Sequence, residues 1–152
     1  MTSDGISDSD WGIVKDFSTK VAEAQCAGDE AGSESLAREL LRHLAVLEGK
    51  YGLIPSIVAT RADYVDDEAE RIRLLEQAWI LARKRSDWAN CVFISSSLAG
   101  AYIEELASIS IGRRWLGLLE ESLEHYWDED EYKEMQRLKI HLEKTMGSSL
   151  DI

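Results

Sequence analysis

Histidines and carboxylates are the first side chains to consider for chemistry in this sequence of 152 residues. None of the three histidines, His43, His125 and His141, belongs to an H-E-x-x-H motif. Glu121 and His125 are four residues apart, so on a helix they could share one face and hold a divalent cation. We favour the alternative, a solvated Glu–His pair. Glycine-rich phosphate motifs and a G-x-S-x-G motif are also missing. The sequence therefore predicts no metal, no cofactor and no enzymatic activity.

The two cysteines, Cys26 and Cys91, lie far apart in apolar helical contexts. They form no C-x-x-C pair, and no histidine lies near enough in the sequence to activate either thiol. We therefore expect two small buried side chains in a reducing cytosol, with a disulfide or a reactive thiol as the alternative.

The densest charge feature is the acidic run Asp-Glu-Asp-Glu at residues 128–131. Calcium loops need alternating ligands around a glycine turn, and this run has neither. Carboxylates suit the N-terminus of a helix, where they face the positive end of the helix dipole. They also suit an anionic patch that docks a basic partner, and the two interpretations are compatible.

Three further groups of side chains have both a structural and a functional interpretation. Arg113 and Arg114 fall near a predicted helix start, where positive charges oppose the helix dipole. Either the pair has a functional role, or the helix begins earlier and the placement is harmless. Trp88 follows a helix cap and is expected to pack there or in the core, the alternative being an exposed interface anchor. Thr60 and Asp63 lie off the apolar stripe of their helix, on a face that is either simply solvated or partner-binding.

The elements that must position these side chains are helices. Leu, Ala, Glu, Lys and Arg are abundant around a single proline, and apolar residues recur at three- and four-residue steps. Neither alternating β-branched runs nor Asn-Gly turns indicate strands. The sequence predicts an all-α fold of about seven antiparallel helices. Its helix signals are Gly28 after the first, Ser33 capping the second, Pro55 opening the third, Ser86 or Asp87 capping the fifth, a stripe from Trp115 to Tyr126 in the sixth, and a seventh from about Glu131 to Met146.

Length and charge bound the organisation and the partners. We expect one domain over residues 9–147, between a flexible N-terminus (1–8) and a C-terminal tail (148–152). A formal charge of −12 disfavours nucleic acid and anionic membranes as direct partners. No apolar run approaches the roughly 18 residues of a spanning helix, and no secretory signal is visible, so a cytoplasmic location is expected. The charge is spread along the chain, with −5 in residues 1–53, −3 in 54–110 and −4 in 111–152.

Residues 33–146 resemble the tetratricopeptide family of helix-turn-helix repeats. Leu-Leu-Glu recurs at residues 74–76 and 118–120, and the earlier Leu-Leu at 40–41 stands 34 residues before the first of them, which is the repeat period. Leu98-Ala99 followed by Tyr102 is similar to the pattern of a repeat's first helix. The resemblance implies helical hairpins that stack on one another.

Three segments, residues 55–64, 74–79 and 97–105, are similar to small acidic immunity proteins of bacterial polymorphic-toxin and contact-dependent-inhibition systems. This resemblance implies a non-enzymatic cytoplasmic protein that occludes a cognate toxin, often a basic nuclease. An acidic surface would attract such a toxin over long range. The alternative is a tetratricopeptide-like scaffold that binds a peptide of a partner protein. The expected partner-binding residues are Thr60, Asp63, Tyr64, Asp66, Asp67, Trp88, Glu104, Glu105, Asp128, Glu129, Asp130 and Glu131.

Overall fold

The computed structural model describes residues 1–150, with side chains through residue 147. These residues contain no strand, so the prediction of an all-α fold with seven helices is confirmed. Among them, no helix combines the length and apolarity needed to cross a bilayer. The helices are α1 (Asp8–Cys26), α2 (Glu30–Tyr51), α3 (Pro55–Ala62), α4 (Glu68–Lys84), α5 (Trp88–Gly100), α6 (Ile109–His125) and α7 (Glu129–Leu150), and a π-helical turn (Ala101–Glu105) directly continues α5.

Helix starts follow local hydrogen bonding. Pro55 occupies the first turn of α3 as predicted, where its missing N–H is not needed. Asp87 caps α5, because its carboxylate accepts a hydrogen bond from the backbone N–H of Asn90 at 3.2 Å. The predicted cap at Ser33 is wrong. Asp29 caps α2 by accepting from the N–H of Gly32 at 2.9 Å, and Ser33 lies buried inside the helix.

The last helix is longer than the sequence predicts. Asp128 accepts a hydrogen bond from the backbone N–H of Glu131 at 3.0 Å, and α7 begins at Glu129. The helix passes through Gly147 and continues to Leu150, because a glycine inside a helix weakens it without ending it. Residues 148–150 of the predicted tail are therefore helical, and residues 151–152 lie outside the described residues.

The chain divides into two compact units, Met1–Leu74 and Leu75–Ile152, and the boundary falls within α4. In the first unit, α1 packs on α2, and α2 contacts α3. The N-terminal segment, predicted to be flexible, has defined contacts here: Ile6 is fully buried, and the Ser56 N–H donates to the Asp4 carboxylate at 2.7 Å. The core of this unit consists of Ile6, Val14, Leu40, Leu44, Leu47, Ile54 and Ile57.

In the second unit, α5, α6 and α7 pack against one another. The π-helical turn after α5 is closed by a hydrogen bond from the Leu106 N–H to the Ala101 carbonyl at 3.0 Å. Gly112 of α6 lies against Ile103 of this turn, so a Cβ at position 112 would force a shift of the packing there. The buried side chains of this unit include Cys91, Val92, Ile94, Leu98, Trp115, Leu119, Met135 and Leu138.

Candidate functional site

The strongest concentration of charge lies where α6 ends and α7 begins. Residues 120–131, which we call the acidic turn, contain seven carboxylates and no lysine or arginine. The rest of the second unit has seven acidic and nine basic residues. The negative charge of this unit therefore comes from one segment of twelve residues.

Aromatic side chains are exposed at the same place. α6 ends at His125, and Tyr126 has extended backbone dihedrals, so the helical spacing that would bury the next residues is lost. Trp127 is 62% exposed and contacts Tyr132, with ring centroids 4.9 Å apart. Tyr126 meets the exposed Phe93 of α5 edge-on at 6.5 Å. Exposed aromatic clusters of this kind are common anchors of protein interfaces.

We call the acidic turn together with Phe93 and Tyr132 the aromatic–acidic surface. It contains a depression of about 230 Å³ between α6 and α7. Trp127 and Tyr132 border the depression, and Leu123 and Met135 contribute apolar surface to it. Two carboxylates, Glu120 and Glu124, complete the lining.

Four of the predicted binding residues belong to this surface, and they play unequal roles. Asp128 caps α7, as expected for carboxylates at a helix N-terminus, and Glu129 pairs with Lys133 at 3.2 Å. Glu131 is half-buried; loss of solvent raises the pKa of its carboxyl, neighbouring carboxylates add to the rise, and a hydrogen bond with Ser96 opposes it. Asp130 is exposed.

Glu104 and Glu105 lie on the π-helical turn and are exposed. The guanidinium of Arg137 donates to both oxygens of Glu104, at 2.6 and 3.1 Å, and also to Glu134 at 2.6 Å. This hydrogen bonding lowers the pKa of Glu104. Because Glu104 already has an internal cationic partner, it offers less to a basic protein than its sequence suggests.

Trp88 packs at the start of α5 against the end of α6. Its ring stacks on His125 with centroids 3.9 Å apart, and the Arg83 guanidinium lies 4.7 Å from the Trp88 centroid. Arg83 also pairs with Glu121 at 3.5 Å. Glu121 and His125, considered above as cation ligands, are thus engaged in this cluster. The described residues contain no group of three or more side chains suited to a metal ion.

The remaining predicted residues belong to the first unit. The Tyr64 hydroxyl donates to Ser18 at 2.9 Å, and its ring packs against the core of the unit. Asp67 accepts from the N–H of Glu70 at 3.1 Å, which caps the start of α4, and Asp66 is exposed. Thr60 is half-buried. Asp63 as a whole is exposed, but its carboxyl is partly desolvated. The desolvation raises the pKa of this carboxyl, and the positive charge of Arg71 partly offsets the rise.

The structure also places the pair Arg113 and Arg114 and the two cysteines. Because α6 begins at Ile109, Arg113 and Arg114 lie beyond its first turn, where opposition to the dipole is slight. Cys91 is fully buried, which raises the pKa of its thiol to about 11. Cys26, the last residue of α1, is exposed, so the expectation of two buried thiols is wrong for it.

The sequence interpretation missed Phe93, Trp127, Tyr132 and Glu124, and it placed Tyr126 on a helical stripe. A charge count over a window of twelve residues would have found the acidic turn. Comparisons with known protein families, curated proteins and solved structures give no match for this chain.

Proposed function

We propose that this protein is a non-enzymatic binding protein, an immunity protein that neutralises a cognate bacterial toxin by occluding its active site. The observation that carries the proposal is the aromatic–acidic surface, where seven carboxylates and exposed aromatic rings share one end of the second unit. A toxin that acts on nucleic acid needs a cationic groove to bind its substrate. An acidic surface with aromatic anchors is complementary to such a groove.

The mechanism has two stages. The charge of the acidic turn accelerates encounter with a basic partner over long range, an effect that salt screens. Trp127 and Tyr126 then lose their exposed apolar area in the contact, which slows dissociation. Cytoplasmic action against an incoming toxin is part of the proposal.

Charge reversal tests this proposal. We expect Glu124→Lys with Asp130→Lys to abolish protection, because both carboxylates are exposed on the aromatic–acidic surface. The matched control is Glu34→Lys with Glu39→Lys on α2, which changes the net charge equally in the first unit. A toxin domain found in a neighbouring reading frame would be the first partner to assay, by growth on co-expression and by association rate.

The association rate of the wild type should fall about tenfold or more between 50 and 500 mM NaCl. A salt-insensitive rate, or equal loss of protection in the control variant, would contradict the proposal.

The alternative is a tetratricopeptide-like scaffold whose stacked antiparallel hairpins bind a peptide. Such a scaffold would need cationic side chains on its first helices to hold a peptide carboxylate, and Arg61 is the main candidate. Arg61 is half-buried and pairs with Glu48 at 3.2 Å, so it is already partnered. This contact favours the immunity proposal over the scaffold.

A further inference from the structure

The depression on the aromatic–acidic surface has the chemistry of a receptor for one cationic side chain. The exposed indole of Trp127 offers a π face, and among the described residues no cation lies over it. Glu120 has only a distant partner, Lys139 at 3.9 Å, and Glu124 has no cation partner among the described residues. A ligand with a positive head and an apolar stem would meet a suitable surface at each point.

We infer that this depression, lined by Glu120, Leu123, Glu124, Trp127, Tyr132 and Met135, binds an arginine side chain of the protein partner. The guanidinium stacks on Trp127 and donates hydrogen bonds to Glu124, while its methylene groups pack on Leu123 and Met135. The inference rests on the proposed function, because it names the group through which a basic partner is held.

The protein uses the same recognition chemistry inside its own second unit. The Arg83 guanidinium lies 4.7 Å from the ring centroid of Trp88 and 3.5 Å from a carboxylate oxygen of Glu121. Glu121 and Glu124 both belong to the last turns of α6. One carboxylate thus meets an internal arginine beside a tryptophan, while the other lies beside Trp127 without one.

Shape and charge select arginine over other cations. A guanidinium is planar and weakly hydrated, so it stacks on an indole and forms paired hydrogen bonds with a carboxylate. A lysine ammonium is a strongly hydrated point charge that does neither as well. The volume of about 230 Å³ accommodates a side chain and is too small for a folded segment. Residues 128–131, which connect Trp127 to Tyr132, disfavour the carboxylate of free arginine.

The test titrates Nα-acetyl-arginine N-methylamide into the isotopically labelled full-length protein and follows the five indole N–H signals by NMR. The Trp127 signal is assigned from its loss in Trp127→Phe. We expect a saturable shift of that signal with a Kd on the order of 10 mM, the range for one stacked cation with a surface ion pair. Capped lysine should bind at least about twofold more weakly, and capped citrulline, which has no charge, should produce no saturable shift.

Glu124→Gln should weaken arginine binding about threefold to fivefold, since it removes one exposed ion pair. The matched control, Glu39→Gln on α2, removes the same charge from the first unit and should leave the Kd unchanged. Equal shifts with citrulline, equal affinity for lysine, or equal Kd values for the two variants would overturn the inference.

The two proposals fail separately. If capped arginine does not bind but charge reversal at Glu124 and Asp130 abolishes protection, the arginine pocket is wrong and the immunity function stands. If capped arginine binds with the expected selectivity and no toxin is neutralised, the pocket stands and the function is wrong.

Discussion

Among the glycines of the second unit, Gly112 is the one where an added methyl group would meet neighbouring atoms. It is buried on α6, and a Cβ there would overlap with Cγ1 of Ile103 and lie 3.2 Å from its Cδ1. Ile103 is itself buried on the π-helical turn, so it has little room to move. Gly112→Ala gains about 1 kcal/mol of helix propensity. Overpacking a well-filled core costs about 1–3 kcal/mol, so we expect net destabilisation of about 0–2 kcal/mol.

Gly117→Ala is the matched control on the same helix. A Cβ at Gly117 meets no atom within 4 Å, so this variant should gain the same propensity, about 1 kcal/mol, without a packing cost. Urea denaturation followed by tryptophan fluorescence measures both, because four of the five tryptophans belong to the second unit. The free energies of unfolding should differ between the variants by about 1–3 kcal/mol, which is the packing cost alone. If Gly112→Ala is as stable as Gly117→Ala, the close approach of α6 to the turn is wrong.

Two carboxyls of the second unit should respond to pH with opposite signs. Arg137 lowers the pKa of Glu104 below its ordinary 4.5, so the ionised carboxylate stabilises the folded protein. This stabilisation is present above pH 4.5 and is lost as pH falls through the folded-state pKa. Glu104→Gln should therefore destabilise the protein at pH 7 by about 0.5 kcal/mol at most and become neutral at strongly acidic pH. Burial raises the pKa of Glu131, so the folded protein favours the protonated carboxyl. The stabilisation from this group is present below pH 4.5 and is lost as pH rises through the folded-state pKa. Glu131→Gln should therefore stabilise the protein at pH 7 and not in acid, as chemical denaturation at several pH values would show. A thiol reagent should modify Cys26 rapidly and Cys91 only on unfolding, and fast modification of two thiols in the native protein would contradict the burial of Cys91.

The fold class and most helix ends were predictable because they depend on local interactions. Pro55 and Asp87 act within one turn of their own positions, so the sequence displays their roles directly. Ser33 is a case where local sequence was not enough. Serine and aspartate are both good caps, and Asp29, four residues earlier, caps α2, so Ser33 lies inside the helix. The π-helical turn was missed, because one extra residue in a helical turn leaves no composition signal.

The candidate site was only partly predictable, because exposure depends on where a helix stops. Tyr126 fits the three- and four-residue spacing of α6, and that spacing predicts a buried ring. α6 stops at His125, and the chain turns outward with Tyr126 and Trp127. The sequence shows the acidic run at 128–131. A charge sum over residues 111–152 hides the full acidic turn, because it also includes the basic residues of α6 and α7.

The internal partners of the acidic turn separate its two proposed roles, attraction and anchoring. Asp128 caps α7, Glu121 pairs with Arg83, and Glu129 pairs with Lys133, so these carboxylates already serve the fold. Glu124 and Asp130 are exposed and have no such partner among the described residues. Long-range attraction sums all charges near the surface, whereas a direct contact needs a carboxylate that can exchange water for a partner's cation. Neutralising any exposed carboxylate of the turn should therefore slow association modestly. Neutralising Glu124 or Asp130 should also speed dissociation, whereas neutralising Glu121 or Glu129 should not.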